Sequence, residues 1–144
     1  MGRFRFSLQR VLDYRVQQEE EARLHLAKAN AILNRLRERK RRIEKEIEET
    51  HGSFERKKGG TYAWFLAECE KNLTREREWI EKEISQQIDR VETLKKEYIQ
   101  RMLERKKMEK LKEKQEREFY YEEAKKEQKQ ADEISTLRFE RDFY

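Results

Sequence analysis

The chain has 144 residues, of which 47% are charged and 35% hydrophobic, with a net charge of +5 and no proline. That apolar share is too small for a compact globule of this length, which needs more buried surface to offset the entropy of ordering its chain. Two classes remain, a disordered chain or long helices with a narrow apolar seam. The missing proline favours helices, because Pro costs ~3 kcal/mol inside a helix and disordered chains are usually rich in it. The 36 basic and 31 acidic residues are interspersed, the pattern of a solvated helical surface laced with ion pairs. Cys69 is the single cysteine, so no intrachain disulfide is expected, which suits a reducing compartment. No apolar run reaches the ~18 residues of a transmembrane helix. Met1 to Gln9 lacks the apolar stretch of a secretory signal, so a cytoplasmic protein is expected.

In chain order, apolar positions first recur by threes and fours through Leu8, Leu12, Arg15, Glu19, Ala22, Leu26, Ala29, Leu33, Leu36, Lys40, Ile43, Ile47, Thr50 and Phe54. This is a heptad seam with polar interruptions, and it predicts a first helix over about residues 5–55 with Ser7 as its N-cap. Gly52 and the pair Gly59-Gly60 mark a turn at about residues 52–61, after which Thr61 is placed to cap a second helix over about residues 62–140. Its seam runs Leu66, Cys69, Leu73, Glu76, Ile80, Ile84, Ile88, Val91, Leu94, Tyr98, Met102, Arg105 and Met108. The successive four-residue steps at Ile80, Ile84 and Ile88 depart from a strict heptad and relax the left-handed supercoil there.

The two seams are related by reflection. Leu33 with Ile84, Ala29 with Ile88 and Leu26 with Val91 share one centre, and Leu36 with Ile80, Ile43 with Leu73, Ile47 with Cys69 and Ala22 with Leu94 share the adjacent one. An antiparallel hairpin requires such a centre and a parallel dimer does not. Alanines then lie opposite larger Ile and Leu, which fills the interface evenly. At 1.5 Å per residue the first helix is about 75 Å long and the second about 115 Å. The expected fold is therefore all-α: one unit, 1–144, of two long helices in an antiparallel coiled-coil hairpin with an overhanging C-terminal helix. The overhang, roughly 30 residues, is expected to fray alone and to order against a partner.

Catalysis finds no support. The sequence has no phosphate-binding glycine loop, nucleophile motif or metal-ligand spacing, and His25, His51 and Cys69 are far apart in the chain. No cofactor or metal is expected, and a two-helix protein has no enclosed pocket in which to shift a pKa. The basic runs from Arg35 to Arg42 and from Arg105 to Lys114 read as solvated coiled-coil faces rather than nucleic-acid patches. Glu44, Glu46, Glu48 and Glu49 follow the first run within a Debye length, and in the hairpin register Glu76, Glu78, Glu81 and Glu83 face it. Phe54, Tyr62, Trp64 and Phe65 cluster at the hairpin tip, with Trp79 further along. They fit two descriptions equally, an aromatic cap on the coiled coil or a protein-binding patch. Phe4-Arg5-Phe6 and Leu137-Arg138-Phe139 lie at the same end of the hairpin, where the overhang leaves apolar residues unburied, and they read as a partner-binding end.

The opening stretch from Phe4 to Arg15, with Phe4, Phe6, Leu8, Gln9, Val11, Leu12 and Arg15 in the pattern F-x-F-x-L-Q-x-V-L-x-x-R, resembles the start of the flagellar export protein FliJ family. Gln130 to Phe139 is similar to that family's C-terminal stretch. The resemblance implies a non-catalytic component of the flagellar type III secretion apparatus, similar to the central stalk of rotary ATP synthases, at the inner face of the cell membrane. The implied partners are a hexameric export ATPase, a membrane export gate and export chaperones. On that footing Phe4, Phe6, Leu8, Leu12, Leu137 and Phe139 would contact the ATPase ring, and Arg3, Arg5, Arg10, Arg15 and Arg138 would steer the chain toward an acidic pore. The tip residues Phe54, Tyr62, Trp64 and Phe65 would reach the gate. Rival readings are a structural coiled coil that dimerises through the overhang, a nucleic-acid-binding coiled coil, and the corresponding stalk of a virulence secretion system.

Overall fold

A computed structural model describes residues 2–56 and 60–143, apart from the side chains of residues 54–56. The chain is all-α. Helix α1 spans Gln9–Arg56 and α2 spans Gly60–Phe143, 48 and 84 residues respectively, and no strand occurs among the described residues. Both helices are built from Glu, Lys, Arg, Gln and Leu, which lose little rotamer freedom in a helix.

The helix ends depart from the sequence expectation in three places. The Leu12 amide donates to the Leu8 carbonyl at 3.0 Å, and the Gln9 amide donates to the Phe6 carbonyl at 3.1 Å. Leu8 therefore occupies the cap position, Ser7 lies in a turn ahead of it, and α1 begins at Gln9 rather than near residue 5. Gly52, expected to open the turn, lies inside α1, which continues to Arg56. One helical glycine costs only ~1 kcal/mol relative to alanine, and Gly52 and Ser53 are both half-buried. Helix α2 opens at Gly60, whose φ of 87° lies in the left-handed region that glycine alone adopts readily. Thr61 is thus inside α2 and not its cap. Of the expected turn, residues 57–59 lie outside the described residues.

Contacts divide the chain into two units, Glu21–Ile99 and the combination of Met1–Glu20 with Gln100–Tyr144. In the unit of residues 21–99, Ala22, Ala29, Leu33 and Ile43 from α1 are buried with Leu66 and Ile80 from α2. Ile80 is the one fully enclosed large side chain among the described residues, at 0% exposure. Its burial alone is worth about 1.5–3 kcal/mol. Every position of the α2 seam from Leu66 to Met108 is buried or half-buried, and in α1 only Leu8 of the described seam positions is exposed. Polar contacts flank this core. The Gln87 side-chain amide donates to the Ala29 carbonyl at 3.0 Å, and Arg39 pairs with Glu76 at 2.9 Å. Lys40 lies 3.6 Å from Glu81, and His51 Nδ1 lies 3.4 Å from Glu70. Between the Ala29–Gln87 and His51–Glu70 contacts, the α2 number falls as the α1 number rises.

The other unit is more sparsely packed. Its buried hydrophobic residues are Phe6 and Leu12, set against α2 residues that are half-buried or exposed.

Chemical denaturation followed by circular dichroism should register substitutions at Ile80 and Gly60. Ile80→Ala is expected to lower unfolding stability by about 3 kcal/mol, through lost transfer energy and the cavity left behind. Gly60→Ala meets open space but places a Cβ at positive φ, so it is expected to cost about 1 kcal/mol.

Candidate protein-docking surfaces

The N-terminal segment reaches α2 through aromatic rings. Phe4 packs on Phe119 with centroids 5.6 Å apart, and Phe119 meets Tyr120 edge-on at 5.4 Å. The reflection inferred from the seams would set Glu113 opposite Phe4. Phe4 instead lies further along, because residues 2–6 are not helical and a non-helical chain advances up to about 3.3 Å per residue against 1.5 Å in a helix. In the sequence Phe119 opens the aromatic run Phe119-Tyr120-Tyr121, and only the helix start at Gln9 reveals its pairing with Phe4.

Polar side chains take over the seam between Leu12 and Ala22. Arg15 donates to Glu104 at 2.8 Å and to the Gln18 side-chain oxygen at 3.3 Å. Arg101 donates to that same Gln18 oxygen at 3.3 Å and to Glu104 at 3.4 Å. Arg105 grips both carboxylate oxygens of Glu19 and donates to Glu109 at 2.7 Å. Donation of hydrogen bonds to Glu19 first, and then to Glu109, holds the Arg105 pKa above its ordinary value. Three guanidiniums meet three carboxylates, so the cluster is neutral as a whole.

The expected ATPase-binding residues are distributed unevenly. Phe6 and Leu12 are buried and Phe4 and Arg15 are half-buried. Arg3, Arg5, Leu8 and Arg10 are exposed, with Leu8 at the margin. Leu137, Arg138 and Phe139 lie in α2 within the stretch 124–143, where every residue is exposed. Leu137 and Phe139 are 64% and 62% exposed, and Phe139 packs only on Phe143, at 4.7 Å, among the described ring pairs. The two terminal motifs are therefore not brought together side chain to side chain. Tyr120 and Tyr121, which carry no motif, are also exposed, and Lys125 lies 4.6 Å over the Tyr121 ring.

In the unit of residues 21–99, Tyr62, Trp64 and Phe65 are all exposed at the start of α2, Trp64 at 66%. The Phe54 side chain lies outside the described residues. Trp79 is exposed beneath the Arg39 guanidinium, 5.7 Å from its ring centre, in a cation–π contact. The same Arg39 pairs with Glu76, and Lys40 with Glu81, so two cations of the first basic run are already engaged by the acidic face of α2. An open groove of about 500 Å³ between the helices is lined by Thr50, Leu66, Cys69 and Leu73 together with Glu46 and Glu49.

Among the described residues no group of His, Cys, Asp or Glu is arranged to hold a metal ion. Among the described residues no helix is long and apolar enough to cross a membrane. Both units present short apolar or aromatic patches framed by charge, an arrangement suited to gripping protein surfaces.

No curated protein and no solved structure matches the chain. The family model described as "Flagellar FliJ protein" matches residues 4–142. That match takes in both terminal motifs and nearly everything between them, and the chain belongs to the flagellar FliJ family.

Proposed function

We propose that this chain is a non-catalytic component of the flagellar protein export apparatus, working as a stalk between a hexameric export ATPase and the membrane export gate. Membership of the FliJ family supports association with flagellar export. The observation that carries the finer reading is the exposed helical stretch 124–143, which leaves Ile134, Leu137, Phe139 and Phe143 in solvent. A helix that keeps such residues uncovered gains by burying them on a partner. In this reading α1 and α2 form one antiparallel hairpin whose longer helix overhangs, and the descending cross-helix contacts within the unit 21–99 support that arrangement.

The ATPase-binding end comprises Phe4, Leu8, Leu137 and Phe139 as contacts, with Arg3, Arg5, Arg10 and Arg138 steering toward acidic surface. Phe6, Leu12 and Arg15 hold the N-terminal segment on α2 instead of reaching outward. Unequal contacts around a ring bias its subunits among nucleotide states only through different affinities for those states, and an asymmetric stalk supplies such differences. Tyr62, Trp64 and Phe65, with Phe54, form the surface for the gate, and export chaperones are further partners. The protein then works in the cytoplasm, peripheral to the inner face of the membrane through its partners.

The test is stimulation of the purified export ATPase. Deleting Met1 to Leu12 is expected to abolish it, and normal stimulation by that deletion refutes the assignment. Because Phe6 and Leu12 are core residues, a surface variant separates binding from folding. Leu137→Asp with Phe139→Asp should leave the helical signal and thermal transition unchanged while reducing stimulation at least tenfold. Trp64→Ala should leave ATPase stimulation intact and weaken capture by the gate protein; equal capture by both forms refutes the gate surface. Sedimentation at rising concentration distinguishes self-association, since a persistent monomer excludes a dimer formed through residues 124–143.

A further inference from the structure

Between Leu12 and Ala22 the apolar seam of α1 is interrupted by two successive inward polar residues with cross-helix partners. Between the buried Leu12 and the buried Ala22, the inward positions carry Arg15 and Glu19. Their counterparts on α2 are Glu104 and Arg105. The side chains of Glu19 and Arg105 are only 15% and 22% exposed, so this pair is partly desolvated while remaining within reach of salt.

We propose that this cluster is an electrostatic latch. It holds the N-terminal segment of α1 on α2 in one register and lets that unit open, under ionic conditions, independently of the unit of residues 21–99. Two physical differences carry the argument. First, among the described residues the unit 21–99 is closed by six buried hydrophobic ones, and Phe6 and Leu12 are the buried hydrophobics of the other. The smaller unit therefore depends in larger part on charge. Second, a polar layer in an apolar seam makes other registers costly. Sliding α1 by one heptad would place Leu12 where Glu19 stands, leaving Arg105 without its bidentate partner. Salt weakens the latch specifically, because the Debye length falls from about 10 Å at 0.1 M to about 3 Å at 1 M. Burial of Ile80 and Leu33 has no such dependence.

Amide hydrogen exchange on the full-length chain, at 0.1 and 1 M sodium chloride, tests this. The amides of residues 13–20 are expected to exchange at least fivefold faster at high salt, while those of residues 29–43 keep their rate. Arg105→Leu leaves Glu19 partly buried and unpaired, and should raise exchange over residues 13–20 about tenfold at low salt. Adding Glu19→Leu to it should restore protection to the wild-type level or above and remove the salt response. The latch is overturned if both segments respond to salt in parallel, if neither responds, or if the doubly substituted chain keeps the wild-type salt response. Thermal melting of each variant shows whether the unit 21–99 remains folded. If Arg105→Leu unfolds the whole chain, the conservative Glu19→Gln replaces it with the same expected direction, and unchanged exchange in that variant overturns the proposal.

Discussion

Both helices are nearly half charge, and each has one narrow line of residues that water disfavours. The burial of those two lines against each other is the interaction on which everything else rests. In the unit of residues 21–99 it is concentrated at Ile80, fully enclosed, with Ala29, Leu33 and Ile43 contributed by α1. The alanines Ala22 and Ala29 leave little side-chain bulk of their own, which favours close approach of the neighbouring helix. The surrounding ion pairs, such as Arg39 with Glu76, are solvent-accessible and contribute about 0–1 kcal/mol each. They bias register and solubility, and the hydrophobic line supplies the cohesion.

The same logic explains why the unit containing the N-terminal segment is built differently. Its inward positions include Arg15 and Glu19, and Arg101, Glu104 and Arg105 answer them on α2. Among the described residues of that unit Phe6 and Leu12 are the buried hydrophobic ones, joined by half-buried Met102 and Met108 and by the ring contact of Phe4 with Phe119. Low local stability is a common property of segments that bind partners or change conformation. A segment held by charge and a few rings keeps a defined position without becoming rigid. In this member of the flagellar FliJ family, Leu137 and Phe139 stand exposed further along α2 than the ring pair of Phe4 with Phe119.

Exposure also separates residues that the sequence alone treats alike. Phe4, Phe6, Leu8 and Leu12 look equivalent as an apolar, partner-binding stretch, yet Phe6 and Leu12 are buried while Leu8 is exposed. Burial alternates over Phe4, Arg5 and Phe6, in the non-helical stretch before Gln9. The basic run of α1 is likewise split by geometry. Arg39 and Lys40 turn toward acidic partners on α2, and Arg37 and Arg41 remain in solvent.

What the sequence determined by itself was the class of structure and the identity of the seam. Absence of proline, helix-forming composition and the three-four spacing of Leu, Ile and Ala are local properties, and they specify long helices and their inward faces without reference to any distant residue. The terminal motifs likewise sufficed to point to the FliJ family, which the match over residues 4–142 then established. The tertiary structure alone decided the helix ends and the pairing near the N-terminus. Gly52 stays helical despite its weak propensity, and Gly60 starts α2 in a left-handed conformation. Phe4 finds Phe119 and not the position that reflection predicts. Each of these depends on how far a segment advances along its neighbour, a quantity summed over many backbone angles, and no single residue's preference records that sum.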